Sequence, residues 1–254
     1  MLKSFPLLFV IALSLICFSF NADAAKADID AEVAAYNAAF TGDNFVLQRE
    51  KMDTLIWAGY TAKAVYGPVA DALVTLRHSK DKRDVERASW YAKTLALSGN
   101  PEFRPLLTET SKRAKSKKVR KHAKLALVRL AKYQAWNPVI AAGLEFAPAG
   151  QLEETRVVNM LNASDYELVR MGAKRVYFGH KNDPNLVSLA QQRLSKEWTQ
   201  VNAGNEAQVD AIAWLIKAMA ESGNRDAKPL LNQIARDAKV GKLRKYAKKY
   251  AAYL

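Results

Sequence analysis

Cysteine is almost missing from this chain: the one residue, Cys17, sits in an apolar run near the start. A disulfide framework, CxxC redox chemistry and cysteine-rich metal sites are thereby excluded. Histidine is nearly as scarce. His78, His122 and His180 lie far apart, and none has a His or Glu neighbour at a spacing such as HExxH. No GxSxG, P-loop or GxGxxG pattern occurs, and Asp28-Ile29-Asp30 and Asn182-Asp183 are too sparse for a calcium loop. Strand signals are lacking as well, since no alternating run lies between turn dipeptides. Acidic residues are absent from the whole stretch Thr110 to Leu144. Together these absences lead us to expect no catalytic residue, no metal and no cofactor.

What is present suits a folded chain. Half of the 254 residues are hydrophobic, far more than a disordered chain carries. Met1-Leu2-Lys3 forms a short basic start, Phe5 to Phe20 is almost wholly apolar, and Ala22-Asp23-Ala24 supplies the small residues of a cleavage site. That pattern reads as a secretory signal over residues 1–24, cut after Ala24. The apolar run is shorter than the ~20 residues a spanning helix needs, so no transmembrane segment is expected in the mature chain. The expected location is periplasmic or secreted, and the mature chain would then be free of cysteine.

From Trp90 to Lys124 and again from Trp214 to Lys248 the chain repeats itself without a gap. Ser98-Gly99-Asn100 matches Ser222-Gly223-Asn224, Pro105-Leu106-Leu107 matches Pro229-Leu230-Leu231, and Arg120-Lys121 matches Arg244-Lys245. Upstream, Ala62-Lys63-Ala64-Val65-Tyr66 resembles Ala173-Lys174-Arg175-Val176-Tyr177 at a different spacing. A tandem duplication is expected: a capping helix over 25–44, a first half over 45–135, a connection over 136–153 and a second half over 154–254. Ala35 and Ala39, beside Val33, Tyr36 and Phe40, would pack the cap onto the first half.

Both halves read as helices. Val119, Ala123, Ala126, Leu127, Leu130 and Ala131 recur at three- and four-residue steps along one stripe. Ser98-Gly99-Asn100-Pro101 stops one helix and starts the next: Gly99 takes the left-handed position, Asn100 caps, and Pro101 opens the first turn. Ser164 and Glu167 have capping-box spacing.

A smaller unit recurs inside the duplication. Val85-Glu86-Arg87-Ala88-Ser89, Val119-Arg120-Lys121-His122-Ala123 and Val169-Arg170-Met171-Gly172-Ala173 share one form with Val209-Asp210-Ala211-Ile212-Ala213 and Leu243-Arg244-Lys245-Tyr246-Ala247. The form is an aliphatic, usually a charge, two variable positions and a small residue. Here the sequence resembles the HEAT-like repeats, including the phycobilisome-lyase subtype, over most of the mature chain. The resemblance implies an all-α fold, an α-solenoid (superhelix) of stacked armadillo-like helical hairpins that holds other molecules on an extended surface. The physics is compatible, because a lone hairpin cannot bury its apolar face and neighbours must stack to share a core.

The excess charge is local. Lys112, Arg113, Lys115, Lys117, Lys118, Arg120, Lys121, Lys124, Arg129 and Lys132 give the acid-free stretch +10. Arg236, Lys239, Lys242, Arg244, Lys245, Lys248 and Lys249 against Asp237 give 236–249 a further +6, so the rest of the chain is slightly acidic beneath the formal +14. Neither stretch has the Glu or Asp at i−4 that ordinarily accompanies lysines on a soluble helix. The expected contact residues are Lys117, Lys118, Arg120, Lys121 and Lys124, with Lys242, Arg244, Lys245, Lys248 and Lys249. The expected partner is an acidic protein or an envelope polyanion, ahead of nucleic acid. Trp90 and Trp214 are read as filling seams between hairpins, and Trp136 as the better surface aromatic. A second reading is an enzyme, since the alkylpurine DNA glycosylases and the bilin lyases are also HEAT-like solenoids. Their substrates are intracellular, which an export signal disfavours, so a protein-binding scaffold with a basic patch is the expectation.

Overall fold

Apolar stripes at helical spacing run through the helices of the computed structural model, and Asn44, Asp81, Ser116, Asp165, Asp183 and Asn205 cap six of them. The structure describes residues 7–254, with side chains from Ala22 onward. Of the signal sequence expected over 1–24, residues 1–6 lie outside the described residues, and side chains are described only for its last three. Every regular element described is helical, and no strand occurs among the described residues. The fold is all-α. No helix among the described residues is long and apolar enough to cross a membrane.

The chain divides into two compact units, residues 1–155 and 156–254. The first holds α1 (Leu7–Thr41), α2 (Phe45–Thr54), α3 (Lys63–Leu76), α4 (Lys82–Leu97), α5 (Arg104–Arg113) and α6 (Lys117–Ile140). The division falls within α7 (Leu152–Asn162), after which come α8 (Tyr166–Gly179), α9 (Pro184–Glu197), α10 (Glu206–Glu221), α11 (Lys228–Asp237) and α12 (Gly241–Ala251).

Within the first unit α4 and α6 lie side by side, α3 backs onto α4 and α5 onto α6, and α2 meets α4 on its other flank. Here α1 packs on α3 and α2. Its Tyr36 hydroxyl is 2.9 Å from Thr54 Oγ1, and its Asn37 amide donates to the Ala64 carbonyl at 2.8 Å. Tyr36, Ala39 and Phe40 are buried as a cap requires, whereas Ala35 is exposed. The stripe of α6 that faces inward is Val119, Ala123, Ala126, Leu130, Tyr133, Trp136 and Ile140. Leu127 is only half-buried and Ala131 is exposed, because the stripe follows 3.6-residue periodicity toward the aromatic positions instead. Trp136, expected on the surface, is buried at 7 % exposure, edge-on to Tyr133 at 5.2 Å. The helix that carries it does not stop after the basic segment but continues to Ile140, and this keeps Trp136 on the inward stripe.

Within the second unit α10 is the centre: α8 and α12 flank it and α9 backs onto it, with α11 behind α12. A helix touched on three sides must be apolar nearly all round. Val209, Ala211, Ile212, Ala213, Leu215, Ile216, Ala218 and Met219 are accordingly all buried.

The five recurrent motifs fall on α4 and α6 of the first unit, which lie side by side, and on α8, α10 and α12 of the second, where α10 lies between the other two. Their small fifth residues, Ser89, Ala123, Ala173, Ala213 and Ala247, are buried at helix crossings. The pentapeptides beginning at Ala62 and Ala173 do not occupy matching places: one opens α3, the other ends α8. Their likeness is one of helix composition, without a shared position. At the start of α8 the cap is Asp165, which accepts from the Glu167 N–H at 2.8 Å, one residue later than the Ser164 capping box would place it. A carboxylate is the stronger acceptor for helix N-terminal N–H groups.

The turn Ser98-Gly99-Asn100 has the conformation its sequence indicates. Gly99 is left-handed at φ +59°, and the Asn100 carboxamide accepts from the Glu102 N–H at 3.0 Å. Ser222-Gly223-Asn224 does the same, with Gly223 at φ +67° and Asn224 accepting from the Asp226 N–H at 3.0 Å. Gly99 also meets a tertiary demand. A Cβ there would come within 2.5 Å of Gln134 N and 2.7 Å of Tyr133 O on α6, whereas nothing lies within 4 Å of the corresponding point on Gly223. Asn137, fully buried on α6, donates its amide to the carbonyls of Leu97 and Ser98, each at 2.9 Å, and so satisfies the C-terminal end of α4.

Candidate functional site

The ten expected contact residues of α6 and α12 separate into three groups according to what they touch. Arg120 and Arg244 serve the backbone. Arg120 donates from Nη1 to the carbonyls of Ala114 and Lys115 at 2.6 and 3.0 Å, and Arg244 donates to those of Ala238 and Lys239 at 2.6 and 3.1 Å. Each guanidinium closes the turn before its own helix, where C-terminal carbonyls of the preceding helix would otherwise lack partners. Lys118 and Lys242 reach across to the neighbouring helix. Lys118 pairs with Glu86 of α4, and Lys242 pairs with Asp210 of α10 at 2.5 Å. Asp210 also holds Arg170 of α8 at 3.7 Å. Compensating acids therefore exist, but on adjacent helices, which a search at i−4 cannot find.

Lys117, Lys121, Lys124, Lys245 and Lys248 remain. All five are exposed and form no ion pair among the described residues. Lys249 is exposed too, its ammonium 5.4 Å from the Tyr250 ring centroid. Two of these pairs, Lys121 with Lys245 and Lys124 with Lys248, occupy matching positions of α6 and α12.

Both tryptophans of the repeat are half-buried, and Trp214 of α10 packs against Tyr177 and Phe178 of α8. Each also lies between cations from two helices. Over Trp90 stand the Arg49 guanidinium of α2, 4.5 Å from the ring centroid, and the Lys93 ammonium of α4 at 4.2 Å. Over Trp214 stand Lys174 of α8 at 5.0 Å and Lys217 of α10 at 3.9 Å. The indole face attracts a cation electrostatically but does not neutralise it. Sequence reasoning missed Arg49, Lys93, Lys174 and Lys217. The i,i+3 pairing of Trp with Lys in both copies was a signal for two of them; Arg49 and Lys174 had none, since they arrive from other helices.

The surroundings differ between units. In the first, burial lowers Lys93 below the ordinary lysine value, and the charges of Lys118, Arg129 and Arg49 lower it further while Glu86 opposes them. His122 is likewise lowered by burial and then by Lys93, Lys118 and Lys121. Glu86 is lowered by its hydrogen bonds from Lys118 and from the Trp90 indole N–H at 3.0 Å, with burial acting the other way. In the second unit the companions are aromatic. Tyr177 and Phe178 lie 5.6 and 6.0 Å from Trp214, and Lys217 also reaches Tyr246 at 5.1 Å. Tyr246 stacks on Tyr250 at 6.0 Å, and Tyr250 meets Tyr253 at 5.7 Å. Among the described residues no three His, Cys, Asp or Glu side chains converge as metal ligands would. His78 is exposed and stands apart from both tryptophan sites.

Compared with family models, with curated proteins and with solved structures, the chain matches none.

Proposed function

We propose that this chain is an exported binding module of HEAT-like repeats, a tandemly duplicated α-solenoid that uses α6 and α12 to contact an anionic partner. An acidic protein and an envelope polyanion are the partners this chemistry suits. One observation carries the reading: Lys121 and Lys124 on α6, and Lys245 and Lys248 on α12, stand exposed and unpaired at matching positions of two units. Like charges held on one helix without acids cost stability, and a partner that neutralises them removes that cost. The repeat reading draws support from the motifs lying, within each unit, on helices that pack side by side, and from the identical roles of Arg120 and Arg244 in closing a turn. Lys118, Lys242, Arg120 and Arg244 contribute charge to the surface while bound to protein groups, so they are secondary contacts.

The test is retention on immobilised heparin against a salt gradient. Each neutralised anionic group releases counterions, so affinity falls steeply with salt, and each lost contact reduces the slope by about one. Lys121→Glu combined with Lys245→Glu should elute well before either single change, with helicity unchanged. Elution of the double variant together with the parent would remove the binding role and leave these lysines as a solvated face.

A further inference from the structure

Between Gln208 and Glu221 the residues of α10 that are not buried are Asp210, Trp214, Lys217 and Glu221, at four-, three- and four-residue steps along one stripe. The acids at the two ends of this stripe are engaged. Asp210 holds Lys242 of α12 and Arg170 of α8, and Glu221 holds Lys181, which follows α8. Between these two rows of ion pairs none of the three helices supplies an acid: residues 171–180, 211–220 and 243–254 contain no Asp or Glu. What they supply is rings and ammonium groups in contact. Phe178 lies 6.0 Å from Trp214, and Lys217 joins Trp214 to Tyr246 at 3.9 and 5.1 Å. Tyr250 continues from Tyr246 at 6.0 Å with its ring plane 10° away, and Tyr253 follows at 5.7 Å. Lys174 stands over Trp214 and Lys249 over Tyr250. Lys174, Lys217 and Lys249 pair with no carboxylate among the described residues. The rings at the two ends of the row, Phe178 and Tyr253, are 65 % and 67 % exposed. Because α8 and α12 flank α10, the row spans two interhelical spacings, about 16–20 Å.

The alternation of rings and ammonium groups selects its occupant. An aromatic face is the negative side of the ring quadrupole and receives C–H groups. A pyranose presents such C–H groups on a flat face, and a uronate adds one carboxylate per sugar for the lysines. An acidic peptide supplies the carboxylates but leaves the ring faces uncovered. Single-stranded nucleic acid supplies rings and phosphates, and its bases gain by stacking on aromatic platforms. Here, however, Phe178 is turned 47° from Trp214, and Tyr253 is turned 56° from Tyr250, so successive bases could not keep one stack. Sugar rings do not stack on one another, and each can follow the tilt of the ring beneath it.

We propose that the Phe178–Trp214–Tyr246–Tyr250 face of the second unit binds a segment of an acidic polysaccharide, with uronate rings on the aromatic faces and their carboxylates on Lys174, Lys217 and Lys249. The inference deepens the anion-binding reading above and rests on it in that the second unit takes anions. The first unit lacks this row, since the positions matching Tyr246 and Tyr253 are His122 and Arg129.

The test is isothermal titration calorimetry of the full chain with oligogalacturonate. Polyglutamate serves as a charged chain without sugar rings, and oligothymidylate as the single-stranded nucleic acid. Oligogalacturonate should bind more tightly than either. Phe178→Ala and Tyr253→Ala should each weaken it about fivefold, the loss expected for one aromatic contact. Lys217→Gln should weaken it about tenfold, as for one hydrogen bond to a charged group. Both rings are exposed, so their removal does not threaten the fold, and circular dichroism checks each variant. Lys196→Gln, exposed on α9, should bind as the parent does. Absence of oligogalacturonate binding, equal binding of polyglutamate, or ring variants that bind oligogalacturonate as the parent does would each overturn this face as a glycan site. With heparin retention intact, any of these spares the broader reading. Tighter binding of oligothymidylate replaces the glycan by nucleic acid and overturns the occupant named here. No oligogalacturonate binding together with no heparin retention overturns both readings.

Discussion

The two tryptophan sites sit on the same helical framework and carry different chemistry. Buried positions 124 residues apart are interchangeable: Leu107 with Leu231, Ala114 with Ala238, Val119 with Leu243 and Ala123 with Ala247 are all at most 2 % exposed. Around the tryptophans the same spacing pairs His122 with Tyr246 and Arg129 with Tyr253. In the first unit the result is a cluster of charges, in which burial first and the neighbouring cations second depress Lys93 and His122. In the second it is a row of rings, Tyr246, Tyr250 and Tyr253, continuing from Trp214. Packing holds the inner face of each helix to one solution, since a cavity or a clash costs kilocalories. The half-exposed face carries no such constraint and is free to take on a different chemistry in each unit.

The largest effect that would break this comparison is at the turn glycines. Gly99→Ala should destabilise the first unit by about 3–4 kcal/mol, combining the left-handed backbone with a collision against α6. Gly223→Ala meets only the backbone penalty and should cost about 1 kcal/mol. Urea titrations of the two variants measure the difference, and equal losses would show that the approach of Gly99 to Tyr133 and Gln134 carries no energy.

Asn137→Ala comes next. It leaves the Leu97 and Ser98 carbonyls buried without their donor, and about 2 kcal/mol should be lost. Asn137→Asp should not rescue it, because a carboxylate accepts where a donor is needed.

Smaller effects belong to the cross-helix ion pairs. Lys118→Ala should cost about 0.5 kcal/mol, as expected for a pair that is nearly half-exposed. Lys242→Ala should cost less still, since Asp210 keeps Arg170. A double-mutant cycle with Glu86→Gln and Asp210→Asn would sharpen that ranking.

The smallest effect is a slope. His122 is held below its ordinary value of 6.5, so below that pH the unfolded chain binds the proton more readily than the folded one. Stability should therefore decline as pH falls through about 6.5 toward the folded value, and be fully present above it. His122→Tyr, which copies the second unit, should flatten the midpoint of thermal unfolding between pH 7 and 5. An unchanged profile would show that neither burial nor the neighbouring cations depress His122.

Much of the local structure was legible in the residues themselves. Ser98-Gly99-Asn100 announced a turn, and the recurrence of apolar positions at three- and four-residue steps announced helices throughout. These signals work because caps, left-handed glycines and helical stripes are decided by neighbours within about four residues. The charge of α6 and α12 was equally plain, for a count needs no geometry.

What the count could not apportion was which charges are engaged, and this only the tertiary structure decided. Arg120 and Arg244 look like the most strongly basic contacts, yet they are occupied by backbone carbonyls of the turn before them. Lys118 and Lys242 looked uncompensated until α4 and α10 supplied Glu86 and Asp210. Trp136, next to the basic helix in sequence, turned inward because α6 runs on for another turn. Arg49 reached Trp90 from another helix altogether. A charge count records how much charge a segment carries. Whether that charge is neutralised depends on what packs within a few ångströms, and for these residues the partners come from segments distant in the chain, brought together by burial of the small and aliphatic residues between the helices.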